Sequence, residues 1–200
     1  MGAYLAELAS LVVATTVLVI IPGPNVALIV ANSLQHGFRM GAMTVLGTTA
    51  GIALQLAFVV GGMAALVELA ANTLTWIRWA GVVYLIWLGI HTWRKPAADL
   101  DEVTAAPVMF LRGCMLAAVN PKTMLFNAAF LPQFVGTGST SQFALVGAVF
   151  LGVILIGDLA WALFASSARN LLTRYSRLRN KITGAFLTTA GIGLALARRV

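Results

Sequence analysis

Pro22-Gly23-Pro24-Asn25 stands in the middle of a segment, residues 8–38, that contains no Asp, Glu, Lys or Arg, and Asn120-Pro121-Lys122 interrupts a second long apolar segment in a corresponding place. A proline removes a backbone donor and clashes with the preceding turn, so Pro22, Pro24 and Pro121 each strand carbonyl groups. In hydrocarbon no bulk water reaches such groups, and the protein itself must meet them. Each segment therefore reads as two half-helices. The second half begins with a proline in its first turn, after Gly23 in one case and Asn120 in the other, both acceptable N-caps. The first-turn N–H groups at Asn25-Val26-Ala27 and at Lys122-Thr123-Met124 are expected to face the interior near mid-membrane, forming an anion site suited to a carboxylate.

The composition outside the breaks says which solvent surrounds them. Apolar residues make up 60% of the 200 residues and charged residues 10%, against roughly 25% charged residues in soluble domains. A soluble enzyme is excluded, and so is a disordered chain, which would be charge-rich and apolar-poor. Uncharged runs at 8–38, 40–67, 123–157 and 182–197 each approach or exceed the roughly 20 residues a spanning helix needs. The short polar–apolar alternation of a membrane barrel does not occur. The expected fold class is an all-α integral membrane protein forming one transporter domain over residues 1–200.

Six helices are read, at 4–35, 40–62, 66–93, 108–135, 142–167 and 181–197. Broken helices at matching positions of two halves are the sequence mark of a transporter built from repeats, with its site at the breaks. Three helices per half make the repeats inverted: 1–93, then the polar linker 94–107, then 108–200. Arg39, Arg94, Lys95, Arg112, Arg169, Arg174, Arg177, Arg179 and Lys181 fall on one side, and Arg78, Arg198 and Arg199 on the other. The richer side is expected to be cytoplasmic, with both termini outside. The last span is the shortest, and a five-span arrangement with a re-entrant segment remains an alternative. No basic region precedes the first apolar stretch, so it is read as a resident span rather than a removable signal.

Two ionisable residues fall inside the spans. Asp158, in Ile154-Leu155-Ile156-Gly157-Asp158-Leu159-Ala160-Trp161, lies where a charge costs at least about 2.5 kcal/mol, and Lys122 at the second break bears a similar cost. Either they neutralise each other as a structural pair, or Asp158 exchanges protons and meets the ammonium of a substrate. Gln55, Asn127, Gln133, Thr48 and Thr49 are read as bonding between helices more than lining a path. Gly37 with Gly41 and Gly47 with Gly51 are small-xxx-small pairs and imply close helix packing only. His36 and His91 lack converging ligands, so no metal site is expected. Cys114 is the lone cysteine, which rules out an intramolecular disulfide or a two-thiol redox carrier. No cofactor is expected, and no Walker-type loop for ATP occurs. The net charge of +7 lies in juxtamembrane loops, so anionic lipid and not nucleic acid is its partner. The basic stretch 169–181 reads as a short surface helix. Trp76, Trp79, Tyr84, Trp87 and Trp93 crowd the third span, the end ones as interfacial anchors.

These residues carry a resemblance. Pro22-Gly23-Pro24-Asn25, followed by Gly37, Arg39 and Gly41 and by Gly47 and Gly51, resembles the N-terminal signature of the LysE/RhtB amino-acid exporters. Tyr84-Leu85-Ile86-Trp87-Leu88-Gly89 with Arg94, and Asn120-Pro121-Lys122 with Phe126 and Phe130-Leu131-Pro132-Gln133-Phe134, are similar to its later blocks. The resemblance implies export of amino acids from the bacterial cytoplasm across the inner membrane in exchange for protons, by a six-span homodimer. It is nearer the RhtB branch, exporters of neutral amino acids such as homoserine, threonine or leucine. Carried over, the substrate-binding positions are Pro22, Gly23, Pro24, Asn25, Asn120, Pro121 and Lys122, with Asp158 coupling to protons. The alternative is a metal or other inorganic-ion exporter on a related six-helix scaffold, which the missing ligand clusters disfavour.

Overall fold

Helix α1 (Gly2–Ile20) ends where the prolines begin, and α2 (Pro24–His36) restarts at a bend of 58°. The structure, a computed structural model, describes residues 2–60, 79, 82–83, 85–94, 105–127, 131–134, 140–172 and 176–196. All regular structure among them is helical. After α2 come α3 (Phe38–Val60), α4 (85–94), α5 (Ala106–Ala118), the short α6 (Pro121–Leu125), a 3-10 turn (Leu131–Phe134), α7 (Thr140–Leu172) and α8 (Ser176–Leu196). The expected helix at 66–93 is described only in part. Its residues 66–78 and the linker from 95 to 104 lie outside the described residues.

α2 is the central post. Every residue from Pro24 to Leu34 is buried, as expected of a helix apolar on all sides. Its faces follow helical spacing. Ala27, Leu28 and Ala31 meet Leu85 of α4, Leu116 of α5 and Leu187 of α8, Val26, Val30 and Leu34 meet Ala165 of α7, and Ile29 meets Val45 of α3 and Ala162 of α7. Gly37 closes α2 with φ of 84°, a backbone that only glycine adopts without strain, and turns the chain straight into α3.

α3 and α5 approach to backbone contact. A Cβ on Gly47 would strike the Phe110 carbonyl, one on Gly51 the Cys114 carbonyl, and one on Gly113 would come within 2.6 Å of the Thr44 carbonyl oxygen. The Gly47–Gly51 pair thus does what its spacing predicts. Across the first break, Leu11 and Val19 of α1, Ile52 and Leu56 of α3, Ala117 of α5 and Val146, Phe150 and Ile154 of α7 form one apolar cluster. It closes the α1 side of the break.

Among the described residues two helices, α3 and α7, are long and apolar enough to cross a membrane, and the bent pair α1–α2 makes a third crossing if taken as one. The helix expected at 108–135 is broken at Asn120-Pro121 as expected, into α5 and α6, with a 3-10 turn at Leu131–Phe134. α8 begins at Ser176, earlier than the expected 181, so Arg177 and Lys181 lie inside it. Arg169 belongs to the last turn of α7. Residues 169–172 and 176–181 therefore belong to the ends of α7 and α8 and not to a separate surface helix.

Candidate functional site

Both prolines that open the breaks leave a defect four residues upstream. Pro22 cannot donate to the Leu18 carbonyl, and Pro121 cannot donate to that of Ala117. Each carbonyl receives a donor from another helix. The Lys122 ammonium donates to Leu18 O at 2.6 Å and also to Ile21 O, and Trp161 Nε1 of α7 donates to Val19 O at 3.1 Å. At the second break Gln55 Nε2 of α3 donates to Ala117 O at 2.7 Å and Ala118 O at 3.2 Å. Gln55 is held in turn by Asn127, whose Nδ2 donates to its Oε1 at 3.0 Å.

The two breaks touch. Asn120 Nδ2 donates to Asn25 Oδ1 at 2.8 Å, both residues being buried, and Gly23 leaves room for the Lys122 stem, whose Cδ would lie 3.1 Å from an added Cβ. Around this junction lies a cavity of about 30 Å³ lined by Gly23, Asn25, Asn120, Lys122, Thr123 and Asp158, with apolar walls from α1, α3 and α7. It has room for about two waters and no amino acid. Asp158 is buried at its edge, with the Thr48 hydroxyl as hydrogen-bonding neighbour. That hydroxyl also donates to Val45 O at 2.9 Å.

Of the residues singled out from the sequence, Gly23, Asn25, Asn120, Lys122 and Asp158 meet at one cavity. Pro22, Pro24 and Pro121 are not part of its lining; they make the breaks. Gly23 caps α2 through extended backbone, and Asn120 caps α6 by accepting the Lys122 N–H at 3.0 Å. Some of the donors expected at the half-helix starts are taken within the helices, while α2 has no side-chain cap. The N–H groups of Ala27 and Met124 bond Gly23 O and Asn120 O, at 2.9 and 3.0 Å, and that of Lys122 is taken by its own cap. The Lys122 ammonium bonds carbonyls, and it also acts electrostatically on Asp158 at the same cavity.

Gln55 and Asn127 bond between helices as expected, Thr49 Oγ1 is buried with no partner among the described residues, and Gln133 is exposed. His91 lies exposed on α4, stacked on Trp87 with ring centroids 5.3 Å apart. Sequence reasoning missed Trp161 as a partner of the break. It also missed that a lysine and a glutamine repair the two prolines. The stranded carbonyls follow from the proline positions, but no sequence pattern names their donors.

The model of the LysE type translocator family matches residues 16–198. The chain belongs to the LysE family. It is 28% identical over 192 residues to the homoserine/homoserine lactone efflux protein of Salmonella typhi, covering 92% of this chain and 93% of that one. The leucine efflux protein of Enterobacter sp. (strain 638) is 27% identical, covering 86% of this chain and 83% of its own. The cysteine/O-acetylserine efflux protein of Escherichia coli (strain K12) is 26% identical, covering 89% and 92%. No solved structure matches. These LysE relatives are efflux proteins and not enzymes, and the chain is accordingly a membrane transporter by family.

Proposed function

We propose that this chain exports small amino acids and their close derivatives from the bacterial cytoplasm, in exchange for protons, through the cavity between the two proline breaks. The compounds named for the three relatives are homoserine, homoserine lactone, leucine, cysteine and O-acetylserine. All carry a free α-amino group and an uncharged side chain, and the lactone carries no carboxylate. The ammonium is thus the constant feature of the substrate class proposed here. The single observation that carries the reading is the Asn25–Asn120 hydrogen bond, which joins the two breaks beside a buried carboxylate and a lysine.

In this compact conformation the cavity is too small for an amino acid, so loading parts the breaks and separates Asn25 from Asn120. Their amides then turn to the substrate, with Lys122 and the first turn of α2 toward its carboxylate where it has one. Asp158 holds either the substrate's ammonium or a proton, and that exclusion couples the two movements. A protonated Asp158 donates to the Thr48 oxygen while Thr48 donates to Val45 O. An ionised one accepts the Thr48 proton instead. Pro22, Pro24 and Pro121 act indirectly, by stranding the backbone groups the site is built from.

The proposal includes six spans in two inverted repeats, 1–93 and 108–200 joined by 94–107, both termini outside, assembled as a homodimer in the inner membrane. The matched breaks support the repeats. The test is efflux of radiolabelled homoserine, leucine and cysteine from loaded cells at imposed proton gradients. Asp158→Asn is expected to abolish uphill efflux while leaving the protein in the membrane, and Lys122→Ala to slow it. Unchanged proton-dependent efflux in both variants removes the roles assigned to them.

A further inference from the structure

The end of α1 holds the ammonium of a lysine. Leu18 O, stranded by Pro22, and Ile21 O converge on one ammonium, that of Lys122. Trp161 fixes the neighbouring Val19 O at 3.1 Å, and Leu18 and Val19 both border the cavity. The occupant reaches this place from α6 on a flexible stem, in a groove that Gly23 keeps open. Helix C-termini carry partial negative charge and free carbonyls, and unwound carbonyls of this kind hold cations in transporters with broken helices. A carbonyl pair cannot distinguish the ammonium of a lysine from that of an amino acid.

We infer that the carbonyls of Leu18 and Ile21 form the ammonium subsite of the transported compound, and that Lys122 is its tethered occupant in the closed conformation. The inference rests on the proposed export of α-amino compounds and assigns where their amino group binds. An arriving primary ammonium displaces that of Lys122 without leaving the carbonyls bare at any stage. Two of its N–H donors satisfy Leu18 O and Ile21 O, and the third faces the cavity that Asp158 borders. Lys122, once released, turns to the substrate's carboxylate if there is one. A single exchange of cations thereby opens the junction, since the lysine stem no longer ties α6 to α1. Compounds with a blocked amino group lack the donors to make the exchange.

The test restores the missing occupant chemically in the full-length protein in detergent. Lys122→Ala removes the side chain beyond Cβ, and propylammonium supplies those atoms. Its thermal midpoint is expected to rise saturably by about 3 °C with propylammonium, and not with tetramethylammonium, which has no N–H donor. Wild-type protein is expected to respond to neither. Homoserine or leucine is expected to raise the midpoint of Lys122→Ala, and their N-acetyl forms to leave it unmoved. Lys122→Met, which keeps most of the stem, repeats the comparison with ammonium as probe should Lys122→Ala fail to fold. Equal shifts with the two alkylammonium ions, or an equal shift in wild type, overturn the cation site. A response to propylammonium with none to either amino acid overturns its assignment to substrate. Loss of the export reading shows separately, as absence of amino-acid efflux from wild-type cells.

Discussion

The two breaks begin with the same chemical fault and are repaired in opposite ways. Pro22 and Pro121 each withhold the amide donor from a carbonyl four residues upstream, Leu18 O and Ala117 O, although Ala117 O still accepts the Asn120 N–H. At the first break the donor is a charged lysine from a short helix, backed by an indole. At the second it is a neutral amide from the long helix α3, braced by a second amide. A neutral donor fixed at both ends makes a permanent joint. A cation on a flexible stem makes one that another cation can replace. The difference assigns movement to the α1 end and anchorage to the α5 end.

The largest stability effect that sharpens this contrast is expected at Gln55. Gln55→Leu removes the donor to Ala117 O and Ala118 O and leaves Asn127 Nδ2 without its acceptor. Ala117 O keeps only the Asn120 N–H, at 3.1 Å. Buried groups left in this way cost about 1–3 kcal/mol, read as a fall in the thermal midpoint of roughly 2–4 °C per kcal/mol for a chain of this size. Propylammonium is expected not to restore it. Rescue of Gln55→Leu by an alkylammonium ion would erase the distinction between the two repairs.

The breaks, the buried Asp158 and the convergence of Asn25, Asn120 and Lys122 were legible because proline, charge and apolar length are properties of single residues or of short windows. The Gly47–Gly51 contact with α5 was legible from spacing for the same reason. The 3-10 turn at Leu131–Phe134 was not, since the run from 121 to 135 is apolar enough to be read as one helix. The partners of Lys122 were hidden for a different reason. They are backbone carbonyls 104 and 101 residues away, and a carbonyl leaves no mark in sequence. A lysine in a membrane suggests a carboxylate partner, and Asp158 was the only visible candidate. The α1 helix end supplies the same negative potential without a side chain.

A middle-sized effect is expected where the breaks meet. Asn25→Ala and Asn120→Ala are expected to couple by about 1 kcal/mol in a double-mutant cycle of thermal unfolding, the range for buried polar contacts between membrane helices. Asn120→Ala should cost more alone, because Asn120 also caps α6 at Lys122 N. Coupling near zero would mean that the bond follows from the packing of α2 and α6 and does not hold them together.

The smallest effect is expected at Trp161, and it separates the two donors of the first break. Trp161→Phe keeps an aromatic ring among Val26, Val30 and Ala165, to which Trp161 packs, and deletes only the N–H donated to Val19 O. One such bond in a membrane protein is worth about 0.6 kcal/mol, so the thermal midpoint is expected to fall by about 2 °C. Val19 O is not the carbonyl that Lys122 occupies, so the propylammonium response of Lys122→Ala should persist in the double variant. If Trp161→Phe abolishes that response, the indole shapes the carbonyl pair itself, and the exchangeable joint then includes α7 as well as α6.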